Sequence, residues 1–182
     1  MPANLSFWAM RQRRKPGDPG FPMHGDPGAY RHWRVRSTGG GSEGGGISFS
    51  EWKLKVAGEA NPVSLVGKTI TNLGDAFHLS YPIENINDGT AETSSADNIA
   101  NIPGAEVVFD VSVDLEEARA VTHFLIAPQG TTGVVLYNTP LNLACYASHD
   151  GSEWVLLTSF ADISTGIPAW DAGTYREFLV QG

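Results

Sequence analysis

The sequence predicts an all-β sandwich preceded by an extended arm, and three observations carry that expectation. Apolar and polar residues alternate with period two in several short segments, as strands with one buried face require. Twenty-one glycines and eleven prolines among 182 residues punctuate those segments with turns. A composition of 41% hydrophobic and 18% charged residues is too apolar for a disordered chain and supplies enough material for one core. The single cysteine, Cys145, excludes an internal disulfide and a Cys-based zinc site, so packing, or a hard cation held by oxygen ligands, must stabilise the fold.

Residues 1–29 read as the arm. Phe7, Trp8 and Met10 form a short apolar patch, Arg11, Arg13, Arg14 and Lys15 follow, and then come two Gly-Asp-Pro-Gly turns, Gly17 to Gly20 and Gly25 to Gly28. Glycine does not recur at every third position through Met23 and His24, so this is a stiff linker and not a collagen repeat. Fully extended it reaches up to ~100 Å. Phe7, Trp8 and Met10 are expected to dock in a partner's pocket while Arg11, Arg13 and Arg14 pair with its acidic rim.

Charge divides the chain in the same sense. Residues 1–36 hold seven basic and two acidic residues, a net +5, whereas residues 37–182 hold five basic and eighteen acidic ones, a net −13. That body would repel phosphate, so nucleic acid is not an expected partner. No apolar run approaches the roughly 20 residues of a membrane span, and the N-terminus lacks the h-region of a secretory signal, so a soluble protein made in the cytoplasm is expected.

From Tyr30 the strand candidates follow in order. Tyr30 to Arg36 alternates large apolar with basic residues. The six-glycine loop Ser37 to Gly46 leads to Ile47 to Val56, which alternates again, and a hairpin between these two strands is expected. Glu106 to Val111, His123 to Ala127, Asn142 to Ser148, Trp154 to Thr158 and Tyr175 to Val180 complete the set. Asp114 to Ala120 has the composition of one or two helical turns. Trp33, Phe49, Phe109, Leu143 and Trp154 are the expected core, and Asp150-Gly151 is the expected hairpin turn.

Several of these segments together resemble the discoidin-like (coagulation factor type C) domains of bacteriophage virion proteins. The strand Tyr30 to Val35, the glycine loop and Ile47-Ser48-Phe49-Ser50-Glu51-Trp52-Lys53-Leu54 resemble the family's opening. Asn87-Asp88-Gly89 with Thr93 resembles its Asp-Gly-x-x-x-Thr loop, and Val107 to Asp110 its following strand. Pro140-Leu141-Asn142-Leu143 with Ser148-His149-Asp150-Gly151-Ser152-Glu153-Trp154 resembles a proline followed by Ser-x-Asp-Gly-x-x-Trp, and Trp170 with Tyr175 to Phe178 resembles the closing segment. The tryptophan common after the Asp-Gly-Thr loop is replaced by Ser94-Ser95, and Val66 to Pro82 has no counterpart.

The resemblance spans residues 30–182 and implies a galactose-binding-like (discoidin) jelly roll. It also implies a structural calcium held by Asp88, Thr93 and Glu51, with Glu177 as the second candidate for the strand glutamate, because calcium takes six to eight hard oxygens around a tight loop. Lectin sites of this fold lie on loops at one end of the sandwich, where His78, Tyr81, Tyr137, Asn138 and Trp170 are the candidates. No nucleophile elbow, His-Glu-x-x-His or phosphate-binding loop is present, so no enzyme is expected. The expected role is a virion component of the tail, baseplate or fibre, homo-oligomeric within its assembly, with other virion proteins as partners. A carbohydrate-binding module recognising a host-surface glycan and a capsid decoration protein are the alternatives.

Overall fold

The computed structural model describes residues 28–38, 47–74, 76–77, 79–90, 95–96, 108–127, 142–161, 163 and 174–180. The arm residues Phe7, Trp8, Met10, Arg11, Arg13 and Arg14 lie outside them. Eleven strands are formed among the described residues: β1 (Tyr30–Thr38), β2 (Ser48–Phe49), β3 (Glu51–Val56), β4 (Val63–Ser64), β5 (Ile70–Asn72), β6 (Ser95–Ala96), β7 (Val108–Arg119), β8 (Val121–Ala127), β9 (Leu143–Ser148), β10 (Val155–Phe160) and β11 (Arg176–Leu179). One short 3-10 helix, Ile83–Asn87, lies between β5 and β6.

The strands make two main antiparallel sheets. One has the order β10-β9-β1-β7-β5 and the other β11-β8-β3-β4, with β2 and β6 as a separate pair. Alternation decides which residues enter the space between them. In β1 the side chains of Trp33, Val35 and Ser37 are buried while Arg34 and Arg36 lie on the outward face; in β3 Trp52, Leu54 and Val56 are buried between Lys53 and Lys55. Aromatic contacts join the two layers. Trp33 meets Phe124 edge-on at 6.1 Å between centroids and Phe160 lies 5.2 Å from Phe178, while Trp52 lies 5.4 Å from Phe124 within the four-stranded sheet. Phe109 is contacted by Phe49 at 4.3 Å and by Phe77 at 5.3 Å. Each such buried side chain contributes about 1.5 to 3 kcal/mol of transfer free energy.

Three expectations are corrected. The strands at Tyr30 to Arg36 and Ile47 to Val56 do not form a hairpin: β1 pairs with β7 and β9, and β3 pairs with β4 and β8. β1 and β3 therefore belong to different sheets. Asp114 to Ala120 is not helical, because β7 runs on to Arg119. Tyr30 pairs with Arg119 and His32 with Asp114, so β7 carries three more residues than β1 over this interval, with Glu116 at φ +70° inside the bulge. Only Ala120 then separates β7 from β8, and the chain changes sheet there. Trp154 is the third correction, since it is half-buried with the Arg34 guanidinium 5.4 Å from its ring and does not join the interior cluster.

Three of the seven basic residues counted with the arm, Arg31, Arg34 and Arg36, belong to β1. Arg31 pairs with Asp114 through two hydrogen bonds of 2.7 and 2.6 Å, and Arg34 pairs with Asp110. The positive charge assigned to the N-terminal region is thus partly neutralised by carboxylates of β7 on the outer side of the sandwich.

Candidate functional site

The outward face of the four-stranded sheet holds a buried carboxylate. Glu51 alternates with Trp52 and so points away from the core, where a strand glutamate would ordinarily be solvated; it is nevertheless only 1% exposed. Its cover is the turn after the 3-10 helix. Asn87, itself buried, donates from Nδ2 to the carbonyls of Leu65 (2.8 Å) and Lys68 (2.7 Å), which fixes the helix end against the preceding loop. Asp88 accepts from the Thr90 N–H at 2.9 Å, and the Gly89 N–H donates to Glu51 Oε1 at 2.6 Å. Gly89 sits at φ +91°, a conformation that costs other residues about 1 to 2 kcal/mol, and a Cβ there would lie 3.3 Å from Val66 Cγ2.

Two side chains close the other side. Tyr175 directs its hydroxyl to Glu51 Oε2 in a long contact of 3.5 Å, and the Lys53 ammonium lies 4.3 Å from the centre of the Tyr175 ring. Burial pushes the Glu51 carboxyl above the usual carboxylate range; the Gly89 hydrogen bond and Lys53 oppose that shift, and the neighbouring Asp88 carboxylate adds to it. The residues that the resemblance assigned to one metal site are therefore partly brought together: Glu51 and the Asp88-Gly89 turn meet although 38 positions separate Glu51 from Gly89. Thr93 lies outside the described residues. Glu177 is not part of the cluster, because it is half-exposed on β11 with Lys55 Nζ 3.4 Å from its Oε2. Among the described residues no three His, Cys, Asp or Glu gather in ligating range.

The donor chemistry fits a hard cation in one respect, since the buried Glu51 carboxylate and the exposed Asp88 carboxylate meet beside a bent backbone. Glu51 and Asp88 are the residues that would hold it.

The outward face of the five-stranded sheet is built differently. Arg34 reaches across to Asp110, donating from Nε to Oδ1 at 2.6 Å and from NH2 to Oδ2 at 2.5 Å. The guanidinium carbon also lies 5.0 Å from the centre of the Tyr146 ring and 5.4 Å from that of Trp154. With Asp110 3% exposed and Arg34 17%, this is a partly dry, bidentate ion pair stacked between aromatic rings.

At the end of that face, Ser148-His149-Asp150-Gly151 forms the expected β9–β10 turn, with Gly151 at φ +77°. Asp150 Oδ1 accepts from the Ser148 hydroxyl (2.9 Å) and from the backbone N–H groups of Ser152 (2.8 Å) and Glu153 (3.0 Å), which holds its carboxyl well below the usual range. His149 stacks on Tyr30 at 4.6 Å. These contacts give Ser148, His149 and Asp150 work in shaping the turn.

Of the loop residues singled out for sugar, Tyr81 is 42% exposed, whereas His78, Tyr137, Asn138 and Trp170 lie outside the described residues. Sequence reasoning missed Tyr175 and Lys53 at the buried carboxylate and the Arg34, Asp110, Tyr146 and Trp154 group. The one available signal was the Arg-x-Arg alternation of β1, which places two cations on a single sheet face. No helix among the described residues is long and apolar enough to cross a membrane. Comparison with known proteins finds no family model, curated protein or solved structure that matches the chain.

Proposed function

We propose that this chain is a structural component of a bacteriophage virion, in the tail, baseplate or fibre apparatus, made in the host cytoplasm and assembled as a homo-oligomer. Its sandwich, a discoidin-like jelly roll, serves as an assembly or host-adhesion module, and residues 1–29 dock on neighbouring subunits. The observation that supports this reading best is the meeting of Glu51 with the Asp88-Gly89 turn at 2.6 Å, a long-range contact that the resemblance implies and that composition does not. The two antiparallel sheets are consistent with the same architecture.

Calcium at Glu51 and Asp88 would neutralise the two neighbouring carboxylates and stiffen the turn. Glu51 orients the turn through the Gly89 N–H, and Tyr175 shields its second oxygen. No residue in this cluster is placed as a nucleophile beside a base, and the role proposed for it is structural.

The test separates anchor from fold. Residues 29–182 should melt cooperatively near the temperature of the full chain and fail to co-assemble with the purified virion components that the full chain joins. Co-assembly of the truncated chain at full efficiency contradicts the docking role, and a truncated chain that does not fold contradicts the division at residue 29.

A further inference from the structure

The outward face of the five-stranded sheet contains a groove whose described lining uses no residue of the Glu51 cluster. Registered partners in a sheet share a face, so Arg36, Asp110, Ala144 and Ser159 stand in one row and Arg34, Ser112, Tyr146 and Leu156 in the next. The groove opens because Ala144, the short side chain of its row, stands between Arg36 on β1 and Ser159 on β10. Its volume is about 470 Å³, and its polar lining comes from Arg36, Thr38, Asn142, Tyr146 and Ser159. Small-molecule sites commonly measure roughly 300 to 1,000 Å³ and combine an apolar surface with a few convergent polar groups.

The charge on this wall is not cancelled. Asp110 is the register partner of Arg36, yet both of its oxygens are engaged diagonally by Arg34 at 2.6 and 2.5 Å. Arg36 Nε is left 3.6 Å from Asp110 Oδ2, buried and without a hydrogen-bond partner among the described residues. Among the described residues two cations, Arg34 and Arg36, share the one carboxylate of Asp110, which leaves this group of three with a net charge of +1, and the Arg36 side chain is 40% exposed at the groove.

We propose that this groove binds an acidic saccharide, a sugar ring bearing one carboxylate, with the carboxylate recognised by Arg36 and the hydroxyls by Asn142, Thr38 and Ser159 beside the Tyr146 ring. A guanidinium matches a carboxylate in geometry as well as charge. One excess cation at the described part of the groove, on a chain of net charge −8, suits a monoanion and not a phosphate polymer, which would need several. A neutral ligand would leave the exposed part of the Arg36 guanidinium without a charged acceptor. The amide and hydroxyl groups that make up the rest of the polar lining are partners for alcohols, and an aromatic ring offers a flat surface to the C–H face of a sugar. The assignment rests on the adhesion part of the proposed function for its setting and names the class of surface ligand involved.

The full chain should be titrated calorimetrically with 3′-sialyllactose and galacturonic acid as acidic saccharides. Lactose serves as a sugar without the acid and acetate as an acid without the sugar. At least one acidic saccharide is expected to bind at least about tenfold more tightly than both lactose and acetate, and to weaken as sodium chloride rises. Arg36→Gln should remove that preference. Ala144→Leu, which fills the groove floor and leaves every charge in place, should abolish binding while retaining the wild-type melting temperature, and it decides the matter if Arg36→Gln does not fold. Lactose or acetate binding as tightly as the acidic saccharides, no binding of either acidic saccharide, or unchanged binding by Ala144→Leu would overturn the assignment. Virion co-assembly by Ala144→Leu should be normal; binding that is present while the full chain fails to co-assemble would refute the virion role and leave the groove standing.

Discussion

The two sheets close over one core, but their outward faces solve the same electrostatic problem in opposite ways. On the five-stranded sheet, Asp110 is buried and a cation from the adjacent strand, Arg34, occupies both of its oxygens. On the four-stranded sheet, Glu51 is equally buried, yet its short hydrogen bond comes from a backbone N–H, and the nearest acidic neighbour, Asp88, repels it. A buried carboxylate must be neutralised by an internal cation, by a proton or by a metal ion. The first face provides its own cation and has one to spare, which is what makes it a candidate anion-binding surface. The second leaves its carboxylate under-compensated, which makes it a candidate cation site.

The largest expected effect tests the self-neutralised face. Asp110→Asn leaves Arg34, 17% exposed, without its carboxylate, and removing one partner of a buried ion pair costs about 3 to 5 kcal/mol. Urea denaturation measures it. A loss below about 1 kcal/mol would mean that Arg34 finds water or another acceptor, and the contrast between the faces would collapse.

A smaller effect is expected at the second face, where the backbone rather than a side-chain cation meets the carboxylate. Gly89→Ala should cost about 1 to 2 kcal/mol, because φ +91° disfavours a Cβ and Val66 Cγ2 stands 3.3 Å from it. Wild-type stability in this variant would show that the turn relaxes freely, and that Glu51 does not depend on it.

The smallest effect sharpens the comparison by moving the same chemistry to the surface. Arg31 binds Asp114 with two hydrogen bonds within 0.1 Å of those of the buried pair, but their side chains are 48% and 35% exposed, so Asp114→Asn should destabilise the fold least of the three at neutral pH. Arg31 holds the Asp114 carboxyl down to about 2. The unfolded chain therefore takes up that proton first as pH falls. The pair's contribution is complete above the ordinary carboxylate range and disappears towards pH 2. Melting curves of wild type and Asp114→Asn should accordingly converge as the solution is acidified, and a gap that widens would contradict the pairing.

Much of the fold was legible where local pattern and pairing agree. The β9–β10 turn was marked by Asp150-Gly151, and the alternation of β1 correctly placed Trp33 and Val35 inside. What was not legible came from long-range pairing. Asp114 to Ala120 has helix-compatible composition, but its backbone pairs with β1 through Asp114 and Arg119 and bulges at Glu116. Trp154 looked like core because tryptophan usually is; it stands instead just before β10 with the Arg34 guanidinium 5.4 Å from its ring, a long-range contact that no local pattern marks. The same limit applies to the sites. Glu51 and Asp88 were paired in advance only through the resemblance, whereas Arg36, Ala144 and Ser159 become neighbours through the registers of three strands, which no local motif encodes.

The most direct test of the contrast between the faces is scanning calorimetry of the full chain at pH 7, with and without calcium, for wild type, Glu51→Gln and Asp110→Asn. At a hundredfold excess of calcium over its dissociation constant, wild type should melt ~5 to 10 °C higher, reversibly on chelation. Asp110→Asn should start lower and keep the full calcium shift, because its defect lies on the other face. Glu51→Gln should lose the shift. An identical wild-type transition with and without calcium, or an undiminished shift in Glu51→Gln, would contradict the assignment of the under-compensated carboxylate to a cation site.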